Sequence, residues 1–547
     1  MSESTKKQSF LHGAMLLAIA TAVVKVIGAL YKLPLNRIIG AEGFALFTTA
    51  YEIYAVLLMI STAGLPVAMS RMVSQSSALG EYNQVRQIYR VSRTLFVSLG
   101  ALSSLFMVAL CHWLANRLNQ PNAWATILCL GPSALFICLM SAYRGFSQGQ
   151  GNMRPTSNSQ MLEAVVKLVV GLGAAIVVLK LTSNIALAAG GAIFGVTVSC
   201  VVSTIYLRIK FVPDYKSLPN TQEKPRSFGG TAKSLLAIAV PITIGAAGMQ
   251  LLTVFETGLY MDRLVHLIDT NQYMSHMVTG EITAQRAATM LKGAYNMSQT
   301  IYNMPTAFIV PITISVIPAI TSQLTVGNHR GVRSTEESAA RITSLLSMPC
   351  AVGLCLLAGP VMKLLGGYSG ELLEQGTLCL MLLGVNVFLY SVLQYVTAIL
   401  QAHGKAYVPV VNMLIAGVLK LAAVYVLTGN PAIGILGVPI GTTLCHLCVL
   451  VLNLISVRFL VPQKPALIRN LLRPLLPAAI MGAAVYGVSL VLEKLLGSDG
   501  STLLLCGIPV VVGVVVYAGA AIVCKVITRE DCQLLPKGDK IAKLFHL

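Results

Sequence analysis

Stretches of about 20 mainly apolar residues, the length a helix needs to cross bilayer hydrocarbon, recur here from residue 11 to residue 525 with short polar segments between them. Of the 547 residues 55% are hydrophobic and only 11% charged, and the mean hydropathy is +0.75. A soluble chain of this size needs far more polar surface. The expected class is all-α: a polytopic membrane protein with 14 spans, centred near residues 25, 58, 103, 132, 169, 196, 245, 308, 353, 387, 418, 446, 481 and 513. Lys6 and Lys7 resemble the basic start of a signal peptide. The apolar run from Leu11 is too long for one and lacks a cleavage pattern, so it reads as the first permanent span.

A net charge of +19 invites a nucleic-acid reading. The basic residues are instead scattered over many short loops and form no compact patch with interleaved aromatics. Orientation explains them. With both termini cytoplasmic, inner loops and tails hold 27 of the 39 Lys and Arg, outer loops seven, and the spans five, as the positive-inside rule requires. Localisation in the cytoplasmic membrane follows. Residues 261–292 read as a long outer segment. The 12 cysteines mostly interrupt apolar helices, Cys445 and Cys448 included, where the side chain acts as a small hydrophobe. No metal site and no cofactor is expected.

The chain repeats itself. At an offset of 253, Leu130, Gly131, Gln148, Gly151, Lys167 and Leu168 meet Leu383, Gly384, Gln401, Gly404, Lys420 and Leu421. At 252, Ile60, Pro66 and Ser70 meet Ile312, Pro318 and Ser322; at 219, LLAIA recurs. Both halves start on the same side, so these are parallel repeats about an axis along the membrane normal. Expected domains are a six-helix lobe over 1–210, a cytoplasmic linker over 211–231, a second six-helix lobe over 232–460, and two further helices with a cytoplasmic tail over 461–547. The two pseudo-symmetric lobes would face each other across a central cavity.

A Lys or Arg at mid-membrane costs about 2.5–3.5 kcal/mol on insertion scales, so such residues face a cavity or a partner. Lys25 lies deep in the first span and reads as a cavity cation for a phosphate or carboxylate, or as half of an ion pair. Lys32 and Arg37 follow nearer the outer end, where they bind or snorkel, with Glu52 in reach of either. Glu163 and Lys167 share one helix face at i,i+4, in the order that favours an ion pair. Lys420 is the repeat partner of Lys167 but has Ala416 where an acid would stand, leaving it for a ligand or a partner in the other lobe. Glu256 is a candidate for coupling to H⁺ or Na⁺, or a partner for Lys25. Basic groups outnumber acidic ones in this set, which suits an anionic substrate. Pro66, Pro241, Pro305, Pro311, Pro318 and Pro439 are expected to kink their spans.

There is no phosphate loop, no H-E-x-x-H and no nucleophile elbow. The chain therefore reads as a secondary transporter and not an enzyme. The competing readings are a cation-coupled multidrug exporter and a non-transporting scaffold for wall-synthesis enzymes.

The segments AGLPVAMSRMV, YRGFSQGQGNMRPTSNSQMLEAVVK, YNMPTAFIVPITISVIPAIT and LPKGDKIAKL resemble stage V sporulation protein B and related polysaccharide exporters. That family belongs to the multidrug/oligosaccharidyl-lipid/polysaccharide exporter superfamily, with the MurJ lipid II flippases. The resemblance implies a V-shaped two-lobed carrier, a monomer in a bed of membrane lipids, moving an undecaprenyl-pyrophosphate-linked wall precursor by alternating access. It implies substrate-binding cations on the first span, matched here by Lys25 and Arg37. The sequence departs from the MurJ pattern at Tyr31, and at Gln299 and Thr300 where MurJ proteins carry arginine.

Overall fold

The computed structural model describes residues 3–524 and 526, except 63, 279–281, 315, 463–464 and 498–500, and side chains from residue 20 onward with Lys25 and several others excepted. Among the described residues all regular structure is helical. Hydrocarbon offers the backbone no water to bond, so each spanning segment must satisfy its N–H and C=O groups internally. Eleven stretches among the described residues are long and apolar enough to cross a membrane, from Val26–Ala78 to Thr502–Val523. The expected span centres fall on helices, apart from 132, which marks the junction of two short ones.

The helices form two compact units, residues 1–266 with 276–293, and 267–275 with 294–547. The first holds α1 (Glu3–Thr62), α2 (Leu65–Ala78), α3 (Tyr82–Ala109), α4 (Cys111–Arg117), α5 (Trp124–Leu130), α6 (Ser133–Gly149), α7 (Arg154–Thr182), α8 (Ile185–Lys216), most of α9 (Phe228–Asp269) and the start of α10 (Ala284–Ile314). α1 carries two of the expected spans in 60 residues, broken at Gly40. Gly40 has φ 67°, a conformation that a β-carbon would strain. α7 and α8 pack closely along their length. A β-carbon at Gly195 would strike the Gly171 backbone, and Gly191 with Gly195 forms the small-xxx-small pattern that lets membrane helices approach.

The second unit continues α10 and adds α11 (Val316–Thr325), α12 (His329–Leu356), α13 (Ala358–Val361), α14 (Gly370–Ala402), α15 (Tyr407–Thr428), α16 (Gly437–Leu460), α17 (Leu467–Leu472), α18 (Leu475–Leu496) and α19 (Thr502–Val523). Val332, Val396, Ile399, Ala416 and Val449 meet in its core, joined by Cys445. The Tyr517 hydroxyl ties α19 to α12 by donating to the Leu345 carbonyl at 2.7 Å.

Three local expectations change. Pro66 and Pro439 stand in the first turns of α2 and α16, where the missing N–H has no helical partner to lose; they start helices and do not kink them. Residues 261–292 are not an extended loop, because α9 runs to Asp269 and α10 starts at Ala284. The polar connection after α8 spans only residues 217–227 and is strapped to the start of α3. There Glu223 accepts the N–H groups of Asn83 and Gln84, Arg86 donates to the Leu218 carbonyl at 2.7 Å, and the Arg226 N–H donates to Gln84 Oε1 at 2.7 Å.

Desolvation raises the Glu223 pKa, but the hydrogen bonds from Thr221, Asn83 and Gln84 outweigh it and hold the carboxyl below its ordinary range. A depressed carboxylate stabilises the strap at pH above its unfolded value of about 4.3, and that contribution fades as pH falls through the folded value. Glu223→Gln should therefore speed hydrogen exchange at the Asn83 and Gln84 amides at neutral pH, while the unsubstituted protein loosens there only on acidification. Unchanged exchange in the variant would remove Glu223 from the strap.

A second prediction concerns α10, whose Gly293 lies against α1 so closely that an added β-carbon would collide with the Ala41 carbonyl. Backbone cannot move aside as a side chain can. Gly293→Ala should lower stability by about 1–3 kcal/mol, read by thermal unfolding in detergent.

Candidate functional site

α1 packs along α7 in the first unit, and this contact gathers the charges that matter most. Tyr31 is 1% exposed, and its hydroxyl donates to the Ala192 carbonyl on α8 at 3.0 Å. That bond fixes the ring with one face beneath Lys167 Nζ, 5.9 Å from the centroid, a cation–π arrangement. The next residue, Lys32, is half-buried and near enough to Lys167 for the two ammonium groups to repel. Neither lysine makes an ion pair among the described residues. Two like charges thus sit between packed helices, with a tyrosine face beneath Lys167.

Lys167 lacks its expected i,i+4 partner because Glu163 is taken. Arg144 on α6 places Nη2 3.1 Å from Glu163 Oε2 and Nε 3.0 Å from Ser159 Oγ. Ser159 and Glu163 are themselves one turn apart on α7, a spacing that the planar guanidinium fork spans and a point-like ammonium does not.

Glu52 is paired, but with neither Lys32 nor Arg37. Its carboxylate lies 3.1 Å from Lys292 Nζ, whose side chain has no solvent exposure. Lys292 also donates to Thr49 Oγ1 at 2.7 Å, and Thr49 donates to Gln120 Oε1 at 2.5 Å. Nearby, Arg286 pairs with Glu42 at 2.9 Å, so α10 is joined to α1 by two ion pairs. The sequence reading placed Lys292 in an outer loop. The missed signal was the helical spacing of the small and apolar residues around it, Ala287, Ala288, Leu291, Ala294 and Tyr295, all buried.

Arg37 is exposed. Glu256 is buried in α9, 6% exposed. Lys420, in the second unit, is half-buried on α15 within electrostatic reach of His446 on α16. The Lys25 side chain lies outside the described residues. Of the positions that depart from the MurJ pattern, Gln299 is exposed and Thr300 bonds its own helix at the Asn296 carbonyl. Tyr31 is the informative one: where a cation was expected, it holds a cation from another helix.

Comparison with known proteins agrees with this architecture. The lipid II flippase MurJ of Bacillus subtilis (strain 168) is 26% identical over 501 residues, covering 88% of this chain and 89% of that protein. Stage V sporulation protein B of the same organism is 24% identical over 459 residues, covering 83% and 85%. Among solved structures, a lipid II flippase MurJ in an inward closed conformation superposes with a TM-score of 0.64 at 14% identity, covering 93% of this chain and 98% of that one. An inward-facing multidrug resistance transporter of the MATE family, within the MOP superfamily, gives 0.62 at 15%, covering 81% and 97%. Both share the fold. The lipid II flippase MurJ profile matches residues 266–519, and the polysaccharide biosynthesis protein profile matches residues 10–324. With more than half of its length under the latter, this multi-pass membrane protein belongs to the polysaccharide biosynthesis protein family.

Proposed function

We propose that the protein is a flippase carrying a lipid-linked anionic wall precursor, or a related lipid-linked oligosaccharide, across the cytoplasmic membrane. The observation that carries this reading is the Lys32–Lys167 pair on α1 and α7, two repelling and half-buried ammonium groups with no carboxylate partner among the described residues. Holding them at that depth is unfavourable unless a ligand returns the lost electrostatic energy, and a pyrophosphate can bridge both. The flippase names of the relatives give the same substrate class.

In this proposal the chain crosses the membrane 14 times with both ends cytoplasmic. Two lobes, over 1–210 and 232–460, alternate access to a cavity between them, joined by the 211–231 linker and followed by the 461–547 helices and tail. Lys25, Lys32, Arg37 and Lys167 grip the headgroup, and Lys420 plays the corresponding part in the second lobe. Glu52 and Glu163 act through the cations they hold, Lys292 and Arg144. Glu256 is the position for a coupling proton or sodium ion, and the working unit is a monomer. The likeness to MATE transporters favours a second reading, a cation-coupled drug exporter. It is distinguished by resistance to cationic dyes on overexpression.

The test is rescue of a strain depleted of its lipid II flippase. Lys32→Ala combined with Lys167→Ala should lower rescue and precursor export about tenfold or more, the worth of a charge-assisted hydrogen bond, while the protein still inserts. Lys25→Ala should act in the same direction. Precursor should build up on the inner membrane face. Undiminished rescue by the double variant would refute the assigned role.

The Glu52–Lys292 pair predicts a different pattern. Lys292→Met or Glu52→Leu alone should destabilise by about 3–5 kcal/mol, because each strands the charge of its partner, whereas the two together should recover most of the loss. Thermal unfolding of all variants reads the cycle. Additive losses would show that the two side chains are not coupled.

A further inference from the structure

Away from the α1–α7 contact, the first unit has a groove of about 600 Å³ between α3, α6 and α8. Its rim carries Arg90, Arg93 and Arg208, all exposed. Among the described residues no carboxylate lies within ion-pairing distance of any of the three; the one side-chain bond recorded for them is a long one, Arg90 to Gln87 Oε1 at 3.5 Å. Three guanidinium groups around one opening and no acid to balance them make a site for an anion.

The floor is aromatic and rigid. Tyr89 stacks on Phe211 at 4.4 Å between centroids, Phe211 stacks on Tyr215 at 5.2 Å, and Tyr143 leans on Phe211 at 5.1 Å. Interlocked rings hold the arginine-bearing helices at one spacing, so the site needs little reorganisation to bind. Tyrosines at such a place also have a physical reason, since their amphipathic rings settle at the level of lipid headgroups.

The wall then changes character. From the arginines the groove passes Val97 and Ala101 on α3. Beyond these α3 presents Leu102 and Leu105, and α8 presents Ile205 one turn before Arg208, between 55% and 65% exposed. A cationic rim leading into an exposed apolar track fits an amphiphile better than a free ion. The anion would sit among the guanidinium groups with its chains along the track. Basic pockets between membrane helices near the headgroup layer are suited to anionic lipid heads.

We propose that this groove is a binding site for an anionic glycerophospholipid of the surrounding leaflet, distinct from the site for the transported molecule. The phosphodiester is held by Arg93 and Arg208 with Arg90 at the rim, and one acyl chain lies over Val97 and Ala101. Bound lipid would bridge α3 and α8.

The experiment uses the full chain carrying Ala101→Trp as a reporter in the track, reconstituted in vesicles with graded amounts of brominated phosphatidylglycerol or brominated phosphatidylcholine. Quenching in excess of that seen without the reporter should reach half its maximum at about thirtyfold less phosphatidylglycerol than phosphatidylcholine, from about two arginine–headgroup contacts. Arg93→Gln with Arg208→Gln should abolish the difference, and Arg93→Lys with Arg208→Lys should keep most of it. Equal quenching by the two lipids, or a preference that survives both glutamines, overturns the proposal. So does displacement by inorganic phosphate at millimolar concentration, which would mark a site for a free anion. Should the glutamine variant fail to fold, the comparison of lipids on the reporter chain and the lysine variant still decide. None of these readouts requires transport, so they stand or fall separately from the flippase reading.

Discussion

Bilayer hydrocarbon supplies neither hydrogen bonds nor counter-charge, so every polar group taken into it must find its partner within the protein. The Lys292 ammonium meets that demand most fully. It is closed off from solvent, with Glu52 and Thr49 at bonding distance and Gln120 behind Thr49. Separating any part of this chain strands a buried charge, and so the start of α10 is locked to the second half of α1. The break at Gly40 turns that half of α1 into position, and the bare backbone of Gly293 lets α10 come close enough for Lys292 to reach. A steric allowance and an electrostatic demand thus occupy neighbouring residues.

The first unit handles its other intramembrane charges in two contrasting ways. Arg144 satisfies Glu163 and Ser159 together, which makes it a structural brace between α6 and α7. Lys167 instead receives a tyrosine face, and Lys32 and Lys167 repel each other. A fold that can neutralise one cation so well has no structural need to leave two others opposed. The second unit shows the satisfied style at the ends of its helices, where His403 and Glu336 lie 2.9 Å apart and Arg341 donates to Asn470 at 3.0 Å.

Much of this could be read directly from the chain. Run length and hydropathy located the spanning helices, because an apolar solvent leaves helix as the only economical backbone for an isolated segment. Two of the six expected kinks were misplaced: Pro66 and Pro439 proved to be helix starts, since position within the turn decides the effect. The outer segment 261–292 was misread because polar residues were taken as loop, while α9 enters it as far as Asp269 and α10 begins at Ala284, each with buried apolar residues.

Partnership was the part that sequence could not supply. Charge and depth marked Lys32, Glu52, Glu163 and Lys167 as consequential, since an ionisable side chain in hydrocarbon always needs an explanation. Spacing along one helix then suggested Glu163 with Lys167, and a shared position near the outer face suggested Glu52 with Lys32 or Arg37. Tertiary packing decided otherwise: Arg144 arrives from α6 and Lys292 from α10, 240 residues beyond Glu52. The physical reason is that insertion cost depends on each residue alone, whereas pairing depends on which helix faces meet. Those faces are set by glycine contacts and ring packing between segments far apart in the chain.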